Sequence, residues 1–117
     1  MMKLLTMIFL HIVDDYYLQG ILAQMKQKKF WKENAPDEKY KYDYIWALIM
    51  HSFSWVFMVM LPLSFTSSIN PLFYAVFIAN IAIHAYTDHL KANKFKINLW
   101  QDQLIHMLQI VLTFIVL

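Results

Sequence analysis

The 117-residue chain is 60% hydrophobic and only 15% charged, whereas soluble domains are about half apolar and about a quarter charged. One glycine and three prolines imply few turns and long elements, and the lack of cysteine excludes disulfides and thiolate metal sites. A net charge of +2 is too small to mark a nucleic-acid binder, and the chain has no arginine.

Residues 1–13 are almost wholly apolar, with Lys3 the only charge. They resemble a signal peptide, but Asp14, Asp15, Tyr16 and Tyr17 stand where a small-residue cleavage site would be. The segment is therefore expected to stay in the mature protein. Its helical pattern continues through Leu18, Ile21, Leu22 and Met25, with Gly20 as a kink point, giving a first span over about 1–25. Residues 26–43 are rich in lysine and tyrosine and contain Pro36. They read as a basic loop holding a short interfacial helix, with Phe30, Trp31, Tyr40 and Tyr42 as headgroup anchors.

Residues 44–65 form the next apolar run, long enough to cross about 30 Å of hydrocarbon, with Pro62 near its far end. A polar turn at 66–70 leads to Pro71, which suits the first turn of a third run over 71–90. A second basic turn at 91–98 precedes the last apolar run, 99–117. The expected fold is a single all-α domain, a four-span transmembrane helical bundle. A soluble four-helix bundle would need polar helix faces, and 44–65 has almost none. Lysines gather in 26–43 and 91–98, so both loops are expected on the cytoplasmic side, with the 66–70 turn and both ends outside.

Three His/Asp pairs recur at a spacing of four: His11/Asp15, His84/Asp88 and Asp102/His106. On a helix each pair shares one face. Ionisable groups within apolar spans are costly and mark sites. With the expected topology the three pairs and His51 fall at one depth, in the cytoplasmic half of the bundle. Imidazole with carboxylate suits zinc, manganese or iron. Seven candidate ligands (His11, Asp15, His51, His84, Asp88, Asp102 and His106) exceed one ion's needs and suit two divalent ions, with some of the seven as outer partners. His89 and Asp14 lie off the main stripes and are expected to be structural or outer partners. No phosphate-cradling glycine loop or serine-nucleophile pattern is present.

At these residues the chain resembles the domain of unknown function 3307 family, small integral membrane proteins of bacteria and their phages. The likeness rests on His11-Ile-Val-Asp-Asp15-Tyr-Tyr-Leu-Gln19, on His51, on His84-Ala-Tyr-Thr-Asp88-His-Leu-Lys91 and on Asp102-Gln103-Leu-Ile-His106. Asp14 doubles the family's first acidic position, and Tyr16-Tyr17 departs from its usual residues there. More distantly, the scattered His and Asp are similar to those of proteins described as membrane-bound metal-dependent hydrolases.

These features lead us to expect a multi-pass protein of the bacterial inner membrane that holds one or two zinc or manganese ions. It is expected to hydrolyse a small phosphorylated or lipid-linked substrate at the cytoplasmic leaflet. Asp15 or Asp88 would accept the proton, and Gln19 and Gln103 would orient substrate or water. Two other classes fit the same residues: a metal or proton carrier, acting as a homo-oligomer, and a phage-type effector that binds a host membrane protein.

Overall fold

The computed structural model describes all 117 residues, and every regular element is helical. The α-helices are α1 (Met2–Ile12), α2 (Leu22–Met25), α3 (Lys28–Asn34), α4 (Asp43–Ser64), α5 (Pro71–Ala92) and α6 (Leu99–Val116). A π-helical stretch, Val13–Leu18, continues α1, and a 3-10 turn, Glu38–Tyr40, precedes α4. α4 is the central helix and packs against α1, α2 and α5, while α6 closes the bundle against α1 and α5.

Local chemistry sets the helix ends. Asn70 accepts from the Phe73 N–H at 3.1 Å, and Pro71 fills the first turn of α5, where no partner for its nitrogen is needed. Asn98 and Gln101 cap α6 reciprocally. Pro62 falls in the last turn of α4 and does not break it. The expected first span over 1–25 is instead interrupted. The α-helix stops at Ile12, the backbone widens into the π-helix, and Gly20 turns the chain at φ +54, a conformation that L side chains rarely adopt. The 26–43 segment holds α3, whose Trp31 stacks on Tyr40 and donates its indole N–H to the Met25 carbonyl at 2.7 Å.

The interior is more polar than the surface. Thirteen of the 24 buried residues are polar or charged, while Phe9, Phe53, Phe57, Ile78, Leu108 and Ile115 are exposed. In water such a surface would forgo about 25 cal/mol for every Å² of apolar area left uncovered. Most of the buried apolar side chains form one cluster, in which Met7, Val56, Val59, Met60, Leu63, Phe73 and Ile110 make an apolar plug, while Tyr44, Ala47 and Leu48 are buried nearer the start of α4. Two stretches, Glu38–Ser64 and Leu99–Val116, are long and apolar enough to cross a membrane. α5 has comparable length, 22 residues, but carries Asn80, His84, Asp88, His89 and Lys91. α1 has only 11 residues.

Candidate metal centre

The π-helix is the first device of the site. It carries both Asp14 and Asp15 against α4, where each meets His51. Asp14 is buried, takes the Ser54 hydroxyl on Oδ1 at 2.5 Å, and turns Oδ2 towards His51 Nδ1, 3.8 Å away. Asp15 Oδ1 lies 3.3 Å from His51 Nε2 on the other side of the same ring. His51 therefore stands between two carboxylates. Asp14 lies off the stripe that α-helical spacing defines and still faces His51.

Around Asp88 the ligand atoms fall into two knots. In the first, His51 Nε2 and His84 Nε2 are 3.2 Å apart, with Asp88 Oδ2 at 3.4 Å and 3.8 Å respectively and Asp15 Oδ1 beside His51. In the second, His106 Nε2 lies 3.4 Å from both Asp88 Oδ1 and Asp102 Oδ1. Asp88 thus turns one oxygen towards each knot. Three overlapping triads have the mutual spacing a metal ion needs: Asp15/His51/His84, His84/Asp88/His106 and Asp15/Asp102/His106.

Hydrogen bonding fixes which face of His106 looks inward. Gln109 spends its amide N–H groups on the Asn80 carbonyl and side chain, at 3.2 Å and 3.0 Å. Its Oε1 is left as an acceptor, so His106 Nδ1–H donates to it at 3.3 Å. Nε2 then faces the two carboxylate oxygens. Asn80 in turn donates to Thr113 Oγ1 at 2.8 Å, so the whole ladder points its donors away from the centre.

His11, an expected ligand, is placed beside the centre and joins none of the triads. The Trp55 indole N–H donates to its Nδ1 at 2.7 Å, so the proton sits on Nε2 and is donated to Gln103 Oε1 at 3.0 Å. Gln103 must then aim its amide nitrogen at Asp15 Oδ2, 3.0 Å away, and Asp102 Oδ2, 3.1 Å away. His11 thus orients Gln103, which aligns two carboxylates. Gln19 donates to the Asp15 carbonyl at 3.0 Å and keeps its Oε1 unpaired. His89 lies outside, stacked on Tyr44.

Two lysines that composition assigned to loops enter the centre. Lys26 is buried and its Nζ lies 2.6 Å from Asp88 Oδ2. Asn93, the residue that ends α5, holds it there by donating to the Lys26 carbonyl at 2.9 Å and accepting from the Lys28 N–H at 2.7 Å. Lys91 Nζ lies 2.6 Å from Asp102 Oδ2. Both pairings cross between elements and leave no mark at helical spacing.

Two cavities adjoin the centre. An apolar groove of about 750 Å³ runs between α1 and α6, with His11 and Gln103 as its polar floor and Tyr16, Tyr17 and Trp100 among its walls. A smaller one of about 370 Å³ is lined by Gln19, Ala23, Lys26, Gln27, Lys91, Ala92 and Phe95. Compared with protein-family models, with curated proteins and with solved structures, the chain matches none.

Proposed function

We propose that the protein is a membrane-embedded hydrolase of phosphoesters that works with one or two divalent ions, zinc or manganese, in the bacterial inner membrane. The observation that carries this reading is the second knot. Asp88 Oδ1, Asp102 Oδ1 and His106 Nε2 are buried, face one another and have no hydrogen-bond donor. Three buried polar atoms left this way are costly unless a cation lies among them, either a metal ion or a proton on His106 Nε2, and elemental analysis separates the two. Carboxylate with imidazole, and no sulfur, is a hard-to-borderline set that suits zinc or manganese.

A divalent ion bound here would supply Lewis acidity, which can bring the pKa of water from about 15.7 to about 7. The residues do the rest. Asp88 spans the two knots and neutralises both. Asp15 is the proton acceptor, because ammonium groups hold Asp88 and Asp102 whereas no lysine meets Asp15. Gln103 keeps Asp15 and Asp102 aligned through its amide group. Outer carboxylate support of a ligating histidine comes from Asp14 behind His51. A carrier would need access from both faces, and the apolar plug around Val56, Met60 and Ile110 disfavours that reading.

The four-span arrangement and the likeness to the domain of unknown function 3307 family belong to the same proposal. The apolar outer surface, the polar interior and a long dimension of 46 Å, close to the roughly 40–45 Å of a bilayer with its headgroups, support it. The lysine-bearing turns 26–43 and 91–98 then face the cytoplasm. A cysteine placed at Ser67 is expected to react with an impermeant maleimide from the outside only. Labelling from the cytoplasmic side alone would reverse the topology.

The function is tested on detergent-purified protein by elemental analysis and then by a panel of phosphomonoesters, lipid phosphates and pyrophosphates. The expected result is one or two zinc or manganese ions for each chain, with turnover that a chelator abolishes. A folded protein that holds no metal and takes none up would sink the reading.

A further inference from the structure

We infer that Lys26 and Lys91 are the built-in counter-ions of the metal-free centre and become its anion-binding groups once metal is bound. The ligand they would take is a phosphate-class oxyanion seated in the cavity lined by Gln19, Lys26, Gln27 and Lys91. The inference rests on the metal reading and names the substrate chemistry of the same site.

Each ammonium sits 2.6 Å from a carboxylate that also belongs to a metal triad, Lys26 on Asp88 and Lys91 on Asp102. Both pairs use the Oδ2 atom, and both carboxylates turn Oδ1 to His106. With imidazoles neutral, Asp14, Asp15, Asp88 and Asp102 carry four negative charges against two positive ones. A first divalent ion balances that charge, and a second leaves an excess of two positive charges, which a phosphate dianion matches. An ion on Asp88 or Asp102 also turns the nearby ammonium from a counter-ion into a like-charged neighbour. Lys26 is only 5% exposed, so leaving it unpaired is costly.

The cavity gives both ammoniums an alternative. The two lysines line it together, and it lies on the side of the lysine-bearing turns. A further independent feature points to a ligand. Gln19 lines the same cavity, and its Oε1 is buried without a donor, while its nitrogen is spent on the Asp15 carbonyl. A hydrogenphosphate or a phosphomonoester with a neighbouring hydroxyl presents acceptor oxygens to the lysines and one O–H to Gln19. A cationic substrate could donate to Gln19 but would be repelled by both lysines. The same headgroup chemistry can arrive free in solution or on a lipid.

The test uses the full chain in phosphatidylcholine discs, loaded with Mn2+ and titrated with inorganic phosphate. Calorimetry and the Mn2+ electron paramagnetic resonance spectrum are the readouts. Phosphate is expected to bind the loaded protein at least about 10-fold more tightly than the metal-free protein, the scale of one charge-assisted hydrogen bond. Lys26→Met and Lys91→Gln are expected to move two affinities in opposite directions. Mn2+ should bind as tightly or more tightly, since a competing ammonium is gone, and phosphate should bind about 10-fold more weakly. Lys91, with a 27% exposed side chain, provides a variant little prone to misfolding, and exposed Lys96→Gln is the control that should change neither.

Discs doped with phosphatidic acid separate the two sources. If they alter the Mn2+ spectrum and block added phosphate, the oxyanion comes on a lipid; if phosphate binds as before, it comes from solution. Uptake of Mn2+ with no response to either anion overturns this inference and leaves the metal reading standing. Phosphate affinity unchanged in both lysine variants does the same. Failure to take up Mn2+ at all fails the metal reading itself and this inference with it.

Discussion

Asp88→Asn is expected to weaken divalent-ion binding by about 100-fold or more and to abolish turnover, while the helices remain. Changes to outer partners alone cost about 10- to 100-fold in metal affinity. Asp88 offers one oxygen to each knot, so its loss acts on both at once. Asparagine keeps the shape and an oxygen for Lys26 but removes the charge that holds the cations. Circular dichroism with metal titration checks the point. Wild-type affinity in the variant would place the ion elsewhere. Acid is expected to act in the same direction. Imidazole ligates only when deprotonated, so binding should weaken as pH falls through the histidine range.

Trp55→Ala is expected to cost about 3–5 kcal/mol of stability and to loosen the metal centre with it. The indole is 1% exposed and lies among three imidazoles. It stacks on His84 with 4.3 Å between ring centroids, sits 5.3 Å from His106, and meets His11 edge-on at 5.7 Å. Trp55→Phe separates packing from hydrogen bonding. It keeps an aromatic face but leaves His11 Nδ1 without its donor, at a cost of about 1–3 kcal/mol. A free Nδ1 also lets the His11 proton move, so Gln103 can flip and release Asp15 and Asp102. Thermal unfolding in detergent and metal titration should therefore both show a loss in the phenylalanine variant. A variant equal to wild type in both would mean that the Trp55–His11–Gln103 chain does not position the carboxylates.

The polar pairs and the long helices were legible in the sequence because both are local. His84 and Asp88, or Asp102 and His106, share a face through helix geometry alone. The bounds of α4, α5 and α6 follow from apolar run length, Asn70–Pro71 and the Asn98/Gln101 cap. The break at Gly20 could also be read, since one glycine in an otherwise helical run is where a positive φ costs least.

Tertiary structure decided which side each ambiguous group took. Asp14 and Asp15 are consecutive, yet packing against α4 brings both to His51, one to each ring nitrogen. His11 has the same spacing to Asp15 as His84 has to Asp88, yet only the packing of Trp55 44 residues away occupies its Nδ1. Lys26 lies in a stretch whose composition reads as a solvated loop, and its partner Asp88 is 62 residues distant. Spacing along a helix states which residues share a face. It does not state what that face meets, because a buried charge takes its partner from whichever neighbouring element can reach it, and that choice exists only once the helices have packed.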